Sequence, residues 1–169
     1  VTGTIISSPV TVENGGTLSG TGSIGGSVTV NSGGSLSPDN GGAGASGNLT
    51  INNTFIPKNG SNLRFELGTS PDQITLGLTS GFTAPSGGPA VIHISAASGF
   101  AAGTYTLINN LGSGVLTTNS FAIGTLPTDY AGTLAVISGS LQITLRFAGD
   151  DWTGTTSGLW SVASNWGAG

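Results

Sequence analysis

The sequence predicts an all-β protein built as a β-solenoid, and three observations carry that prediction. The phrase VTVENGGTLS (Val10 to Ser19) returns eighteen residues later as VTVNSGGSLS (Val28 to Ser37), with seven of ten positions identical. Short runs of Val, Ile, Leu and Thr alternate with turn residues along a chain of 169 residues that holds 31 Gly. Helix formers are scarce: there is no Met, and only two Glu (Glu13, Glu66) and one Lys (Lys58) occur.

The first elements are tetrads. Setting LTIN (Leu49 to Asn52) beneath VTVN and VTVE gives three stacking columns, Val10/Val28/Leu49, Thr11/Thr29/Thr50 and Val12/Val30/Ile51. The apolar columns flank a Thr column, which is the period-two alternation of a strand with one buried face. Strands this short, recurring about every 20 residues, suit coils laid one on another about 4.8 Å apart, so that like residues stack. Gly15-Gly16 and Gly33-Gly34 fall where the corners need positive φ. The spacing from Val28 to Leu49 exceeds that from Val10 to Val28 by three residues, and SPDNGGAGASG (Ser37 to Gly47) is the turn-rich stretch that would hold the insertion.

Beyond Asn62 the strands lengthen. LRFEL (Leu63 to Leu67) points Leu63, Phe65 and Leu67 inward and Arg64 and Glu66 outward; QITLGL (Gln73 to Leu78) repeats the pattern with Ile74, Leu76 and Leu78. AVIHIS (Ala90 to Ser95) buries Ile92 and Ile94 and leaves His93 on the less buried side with Val91 and Ser95. TYTLI (Thr104 to Ile108), TLAVI (Thr133 to Ile137) and LQITLRF (Leu141 to Phe147) complete the series, the last alternating Leu141, Ile143, Leu145 and Phe147 on one face. At about 20 residues per coil the chain makes roughly seven or eight coils, about 35 to 40 Å of rod, with longer strands or a sandwich-like lobe as the alternative for the second half. Residues 1–149 form the repeat module in this reading, and residues 150–169 a junction leading to the next repeat or to a neighbouring subunit.

Charge narrows the function. With Lys58, Arg64 and Arg146 as the only basic residues and a formal net charge of −4, no patch for nucleic acid or anionic lipid can be assembled. There is no Cys, hence no disulfide and no thiolate metal site. No apolar run reaches eighteen residues, and no signal-peptide pattern is present. The chain starts at Val1 and contains no Met, which suggests a processed product or a piece of something longer.

Reactive chemistry is sparse. The acids are Glu13, Asp39, Glu66, Asp72, Asp129, Asp150 and Asp151, and only the last two are adjacent, where strand neighbours point to opposite faces. Glu13 is expected over Asn31 and Asn52, so no acidic column forms of the kind glycoside hydrolysis or Ca²⁺-dependent cleavage needs. His93 is the sole His and lacks triad or metal partners in the sequence. No catalytic residue, metal ligand or cofactor site is assigned. Trp152, Trp160 and Trp166 hold all the Trp within fifteen residues; they suit either packing between repeat units or stacking on sugar rings.

The ordered blocks GSVTVNSGGSLSPDNGG (Gly26 to Gly42), GNLTINNTF (Gly47 to Phe55), GSNLRFEL with SPDQITL (Gly60 to Leu76), GFAAGTYTLI (Gly99 to Ile108) and GSLQITL (Gly139 to Leu145) resemble the autotransporter-associated β-strand repeat of bacterial secreted and surface proteins. The segment DDWTGTTSGLWSVASNW resembles the stretch that introduces the next such repeat. The resemblance implies a right-handed parallel β-helix outside the cell or on its surface, without cofactor and without an implied activity. No β-barrel translocator is recognisable in these residues. The function expected is therefore a structural module that forms a rod or fibre with copies of itself, as tandem repeats or head to tail. A glycan-binding adhesin using the Trp segment is the alternative, and a polysaccharide-degrading enzyme a second.

Overall fold

The structure, a computed structural model, describes residues 1–39, 47–77, 81–111, 118–148, 151–152 and 166–167. The chain is all-β with parallel sheets, and no α-helix occurs among the described residues.

Strands follow the alternating runs: β1 (Thr4–Ile5), β2 (Val10–Val12), β3 (Thr17–Ser19), β4 (Ser23–Ile24), β5 (Val28–Val30), β6 (Ser35–Ser37), β7 (Asn48–Ile51), β8 (Phe55–Pro57) and β9 (Asn62–Leu67). Then come β10 (Gln73–Leu76), β11 (Ala90–Ala96), β12 (Gly103–Asn109), a 3-10 turn at Thr118–Ser120, β13 (Phe121–Ile123), β14 (Tyr130–Ile137) and β15 (Ser140–Phe147). β16 (Asp151–Trp152) and β17 (Trp166–Gly167) pair antiparallel with each other.

Three sheets receive these strands in rotation. Sheet I has the order β1-β4-β7-β10-β12-β15-β14, sheet II β2-β5-β8, and sheet III β3-β6-β9-β11-β13. The chain visits I, II and III in that order three times over, from β1 to β9. Pairing is parallel throughout sheets II and III and from β1 to β12 in sheet I. Inward side chains from all three sheets fill one core, with Ile24, Val28, Val30, Leu36, Leu49, Ile51, Phe55 and Leu63 all at 0 % exposure.

The duplicated phrase pairs on itself: Val10 with Val28, Thr11 with Thr29, Val12 with Val30. The third row is a correction. Val28, Thr29 and Val30 pair next with Phe55, Ile56 and Pro57, so Leu49, Thr50 and Ile51 do not continue those columns. Leu49, Thr50 and Ile51 belong instead to sheet I, against Ile74, Thr75 and Leu76 on one side, with Thr50 and Ile51 meeting Ser23 and Ile24 on the other. The expected stack of Glu13 over Asn31 and Asn52 is half overturned with it: Asn31 donates to Glu13 at 2.8 Å, while Asn52 donates to Ser23 Oγ.

What fixes the register is the corner. Gly15, Gly33 and Gly60 have φ of +77°, +74° and +70°, and their amides climb from one circuit to the next. Gly15 N–H donates to Gly33 O, Gly33 N–H to Gly60 O and Gly60 N–H to Pro89 O, at 2.9 to 3.1 Å. KNGS (Lys58 to Ser61) is therefore the third copy of ENGG and NSGG. The extra residues of that circuit lie between β6 and β7, the stretch to which the sequence assigned the insertion.

The expected seven or eight coils are also corrected. Five strands of sheet I run parallel, and then β15 pairs antiparallel with both β12 and β14. TLAVI and LQITLRF form a hairpin because Ser138-Gly139 between them adopts φ of +50° and +73°, the two-residue turn whose twist suits an antiparallel pair. A bulge between Thr106 and Ile108 places both Leu107 and Ile108 in the core. Leu141, Ile143 and Leu145 are buried, but Phe147 at the strand end is 62 % exposed.

Candidate functional site

The outer face of sheet III carries a cleft of about 230 Å³ lined by Ser37, Asp39, Arg64, Glu66, His93, Ser95 and Thr125, with the buried Phe65 and Ile94 as its floor. Each wall comes from one circuit. β6 ends at Ser37, and Asp39 follows; β9 turns Arg64 and Glu66 outward because Leu63, Phe65 and Leu67 occupy the core. β11 pairs parallel with β9, setting His93 beside Arg64 and Ser95 beside Glu66. Thr125 lies just past β13. Ser37 Oγ donates to Asp39 Oδ2 at 3.2 Å.

The His93 ring is held at both nitrogens. Asn62 Nδ2 donates to the Gly34 carbonyl at 3.3 Å, which turns Asn62 Oδ1 toward His93 Nε2 at 3.0 Å. In the neutral ring Nε2 then carries the hydrogen, and Nδ1 accepts from the Thr125 hydroxyl at 3.0 Å. Partial burial, and secondarily the Arg64 guanidinium, hold the imidazole below its ordinary pKa. Gly124 makes the room: a Cβ there would stand 2.6 Å from the ring's Cε1 and from Val91 Cγ1. With both nitrogens engaged, the imidazole is fixed in orientation as one wall of the cleft.

Behind the cleft lies Asp72, at 0 % exposure. Its carboxylate accepts the backbone N–H of Gly47 at 2.8 Å and of Glu66 at 2.9 Å. Burial pushes its pKa up to about 6; the two N–H bonds oppose that, and the carboxylates of Asp39 and Glu66 add to it. Asp39, Arg64, Glu66 and the only His thus line one cleft, with Asp72 bonded to the Glu66 backbone, in a chain with just ten acidic and basic residues. Among the described residues no group of three His, Cys, Asp or Glu is placed to hold a metal ion.

The residues singled out from sequence fare differently. The outward facing of Arg64, Glu66 and His93 was legible from alternation, but their convergence with Asp39 and Thr125 was not, because it depends on circuit lengths. Of the Trp set, Trp152 and Trp166 are opposite one another in the β16–β17 register, and Trp160 lies outside the described residues.

No protein-family model matches this chain, and no curated protein is significantly similar to it. Fold and site together define an all-β protein with parallel sheets and a polar cleft on one outer face.

Proposed function

We propose that this chain is a right-handed parallel β-helix module that lengthens a rod or fibre outside the cell or on its surface. Its partners are copies of itself, as tandem repeats or head to tail. The rotation of the chain through three parallel sheets is the path such a helix takes, and the resemblance to autotransporter-associated repeats supports the handedness and the location.

One observation carries the stacking role: burial falls off at the ends of several core columns. Leu18 is half-buried, whereas Leu36 above it is at 0 % exposure and Leu63 above that likewise. Ile5 and Ile24 show the same step, as do Val10 and Val28. At the other end Ile123, Leu126, Leu134 and Val136 pack on the core but remain half-buried. Among the described residues β1, β2 and β3 also pair on one side only, leaving backbone donors and acceptors for a further strand. Direction is compatible too: two successive antiparallel pairings return β14 to the direction of β12, so the last strand of sheet I runs as the first does.

Completing the burial of one such Leu or Ile contributes about 1 kcal/mol, so several together support a joint. Sedimentation velocity over a concentration series tests the reading. The wild-type chain forms larger species as concentration rises, and Leu18→Asp, which charges the open end while sparing the inner columns, stays a monomer. Monomers at every concentration in both proteins would overturn the stacking role.

A further inference from the structure

We infer that the cleft on sheet III binds a sugar bearing a free amine, a hexosamine unit, independently of whether the module stacks. Three features of the cleft point to that class. The hydroxyl oxygens of Ser37, Ser95 and Thr125, whose hydrogens go to Asp39, the Phe65 carbonyl and His93, and the carboxylates of Asp39 and Glu66 offer acceptors beside the Arg64 guanidinium as donor, a set that suits a ring carrying several hydroxyls and an ammonium group. Two carboxylates against one guanidinium leave the walls with an excess of negative charge, which favours an ammonium group and disfavours a uronate. The guanidinium beside them makes a bare amine or polyamine a poor fit, since such a ligand cannot accept Arg64's hydrogen bonds.

The cleft is also pre-shaped. His93 is pinned between Asn62 and Thr125, and Gly124 leaves its ring in place, so one wall is fixed before any ligand arrives. About 230 Å³ holds roughly one pyranose ring rather than an oligosaccharide. The aromatic Phe65 is turned into the core at 1 % exposure, so no ring face is offered for stacking on the sugar. A single site is therefore weak, with Kd on the order of millimolar, and gains strength only where several sites engage one polysaccharide.

The test is a titration of the ¹⁵N-labelled chain at pH 7 with D-glucosamine, D-glucose and D-glucuronate in parallel, following the His93 ring and the amides of Ser95 and Thr125. Glucosamine is expected to give saturable shifts confined to the cleft, at least fivefold tighter than glucose, with glucuronate weaker than either. Glu66→Gln lowers glucosamine affinity about fivefold or more. Lys58→Gln, at the corner between β8 and β9 and not among the residues that line the cleft, leaves it unchanged. The expected shifts in a chain that stays monomeric would separate this site from the stacking proposal. Absence of saturable shifts up to tens of millimolar, equal responses to all three sugars, or an unchanged affinity in Glu66→Gln with its fold intact by circular dichroism would overturn it.

Discussion

Gly33 donates its backbone N–H to the Gly60 carbonyl at 2.9 Å, and both residues sit near φ +70°. The bond links two corners of the same kind one circuit apart, so it holds register as well as turn geometry. A Cβ on Gly33 would lie on the Asn14 side chain of the circuit below. Gly33→Ala is expected to lower stability by about 1 to 2 kcal/mol, through the cost of positive φ and the displacement of Asn14. Urea unfolding followed by circular dichroism checks this, with Gly3→Ala, where a Cβ meets nothing within 4 Å, as the neutral comparison.

Asp72 makes stability depend on pH. Its folded pKa of about 6 lies above the ordinary 3.8, so the folded state binds the proton more tightly than the unfolded state. The stabilisation from the protonated form is complete below about pH 4 and is lost as pH rises through 6, on the order of 2 kcal/mol. Thermal unfolding between pH 4 and 7 should show Tm falling across that window. Asp72→Asn should flatten the dependence while lowering stability overall, because its one carbonyl oxygen replaces only one of the two acceptors that the Gly47 and Glu66 amides use, and its NH₂ faces the other N–H.

Ser61 is fully buried, and its hydroxyl has no hydrogen-bond partner among the described residues. It follows Gly60 at the third corner, the position that Gly34 holds one circuit below. Ser61→Ala removes an unsatisfied polar atom and keeps the backbone, so stability should be unchanged or higher by up to about 1 kcal/mol. A loss above that, measured by the same urea unfolding, would mean that the hydroxyl has a partner in solution.

Leu18 and Leu36 share a column and pair directly, one half-buried and one at 0 % exposure. Leu36→Ala should cost about 3 kcal/mol, within the range for emptying a packed site, and Leu18→Ala about half that in the monomer. If stacking covers the open end, the cost of Leu18→Ala rises with protein concentration while that of Leu36→Ala does not. Unfolding at two concentrations a hundredfold apart separates these outcomes.

The sequence-based reading reached the strand class and the facing of most core residues because period-two alternation is written locally. Leu63, Phe65, Ile74, Leu76, Ile92 and Ile94 all face the core on that basis. Register was harder. The spacing grows from 18 residues (Val10 to Val28) to 27 (Val28 to Phe55) and 29 (Leu63 to Ile92), so aligning apolar tetrads alone joined LTIN to the wrong sheet. KNGS, matched to ENGG and NSGG, carried the better signal, since a Gly with positive φ is less interchangeable than a Val. Ser138-Gly139 between two alternating runs was likewise a hairpin mark, overlooked in favour of further parallel coils. The cleft could not be read without register, for Asp39, Arg64, His93 and Thr125 each lie on a different circuit.

Negative-stain electron microscopy of the purified chain, from dilute to concentrated solution, tests the stacking account most directly. Sheet I is seven strands deep, which at strand spacing amounts to about 30 Å per chain. The account predicts rods of constant width whose lengths grow in steps of about 30 Å, and their loss in Leu18→Asp. Particles of single-chain size at every concentration, or sheets and bundles that widen rather than lengthen, would contradict it.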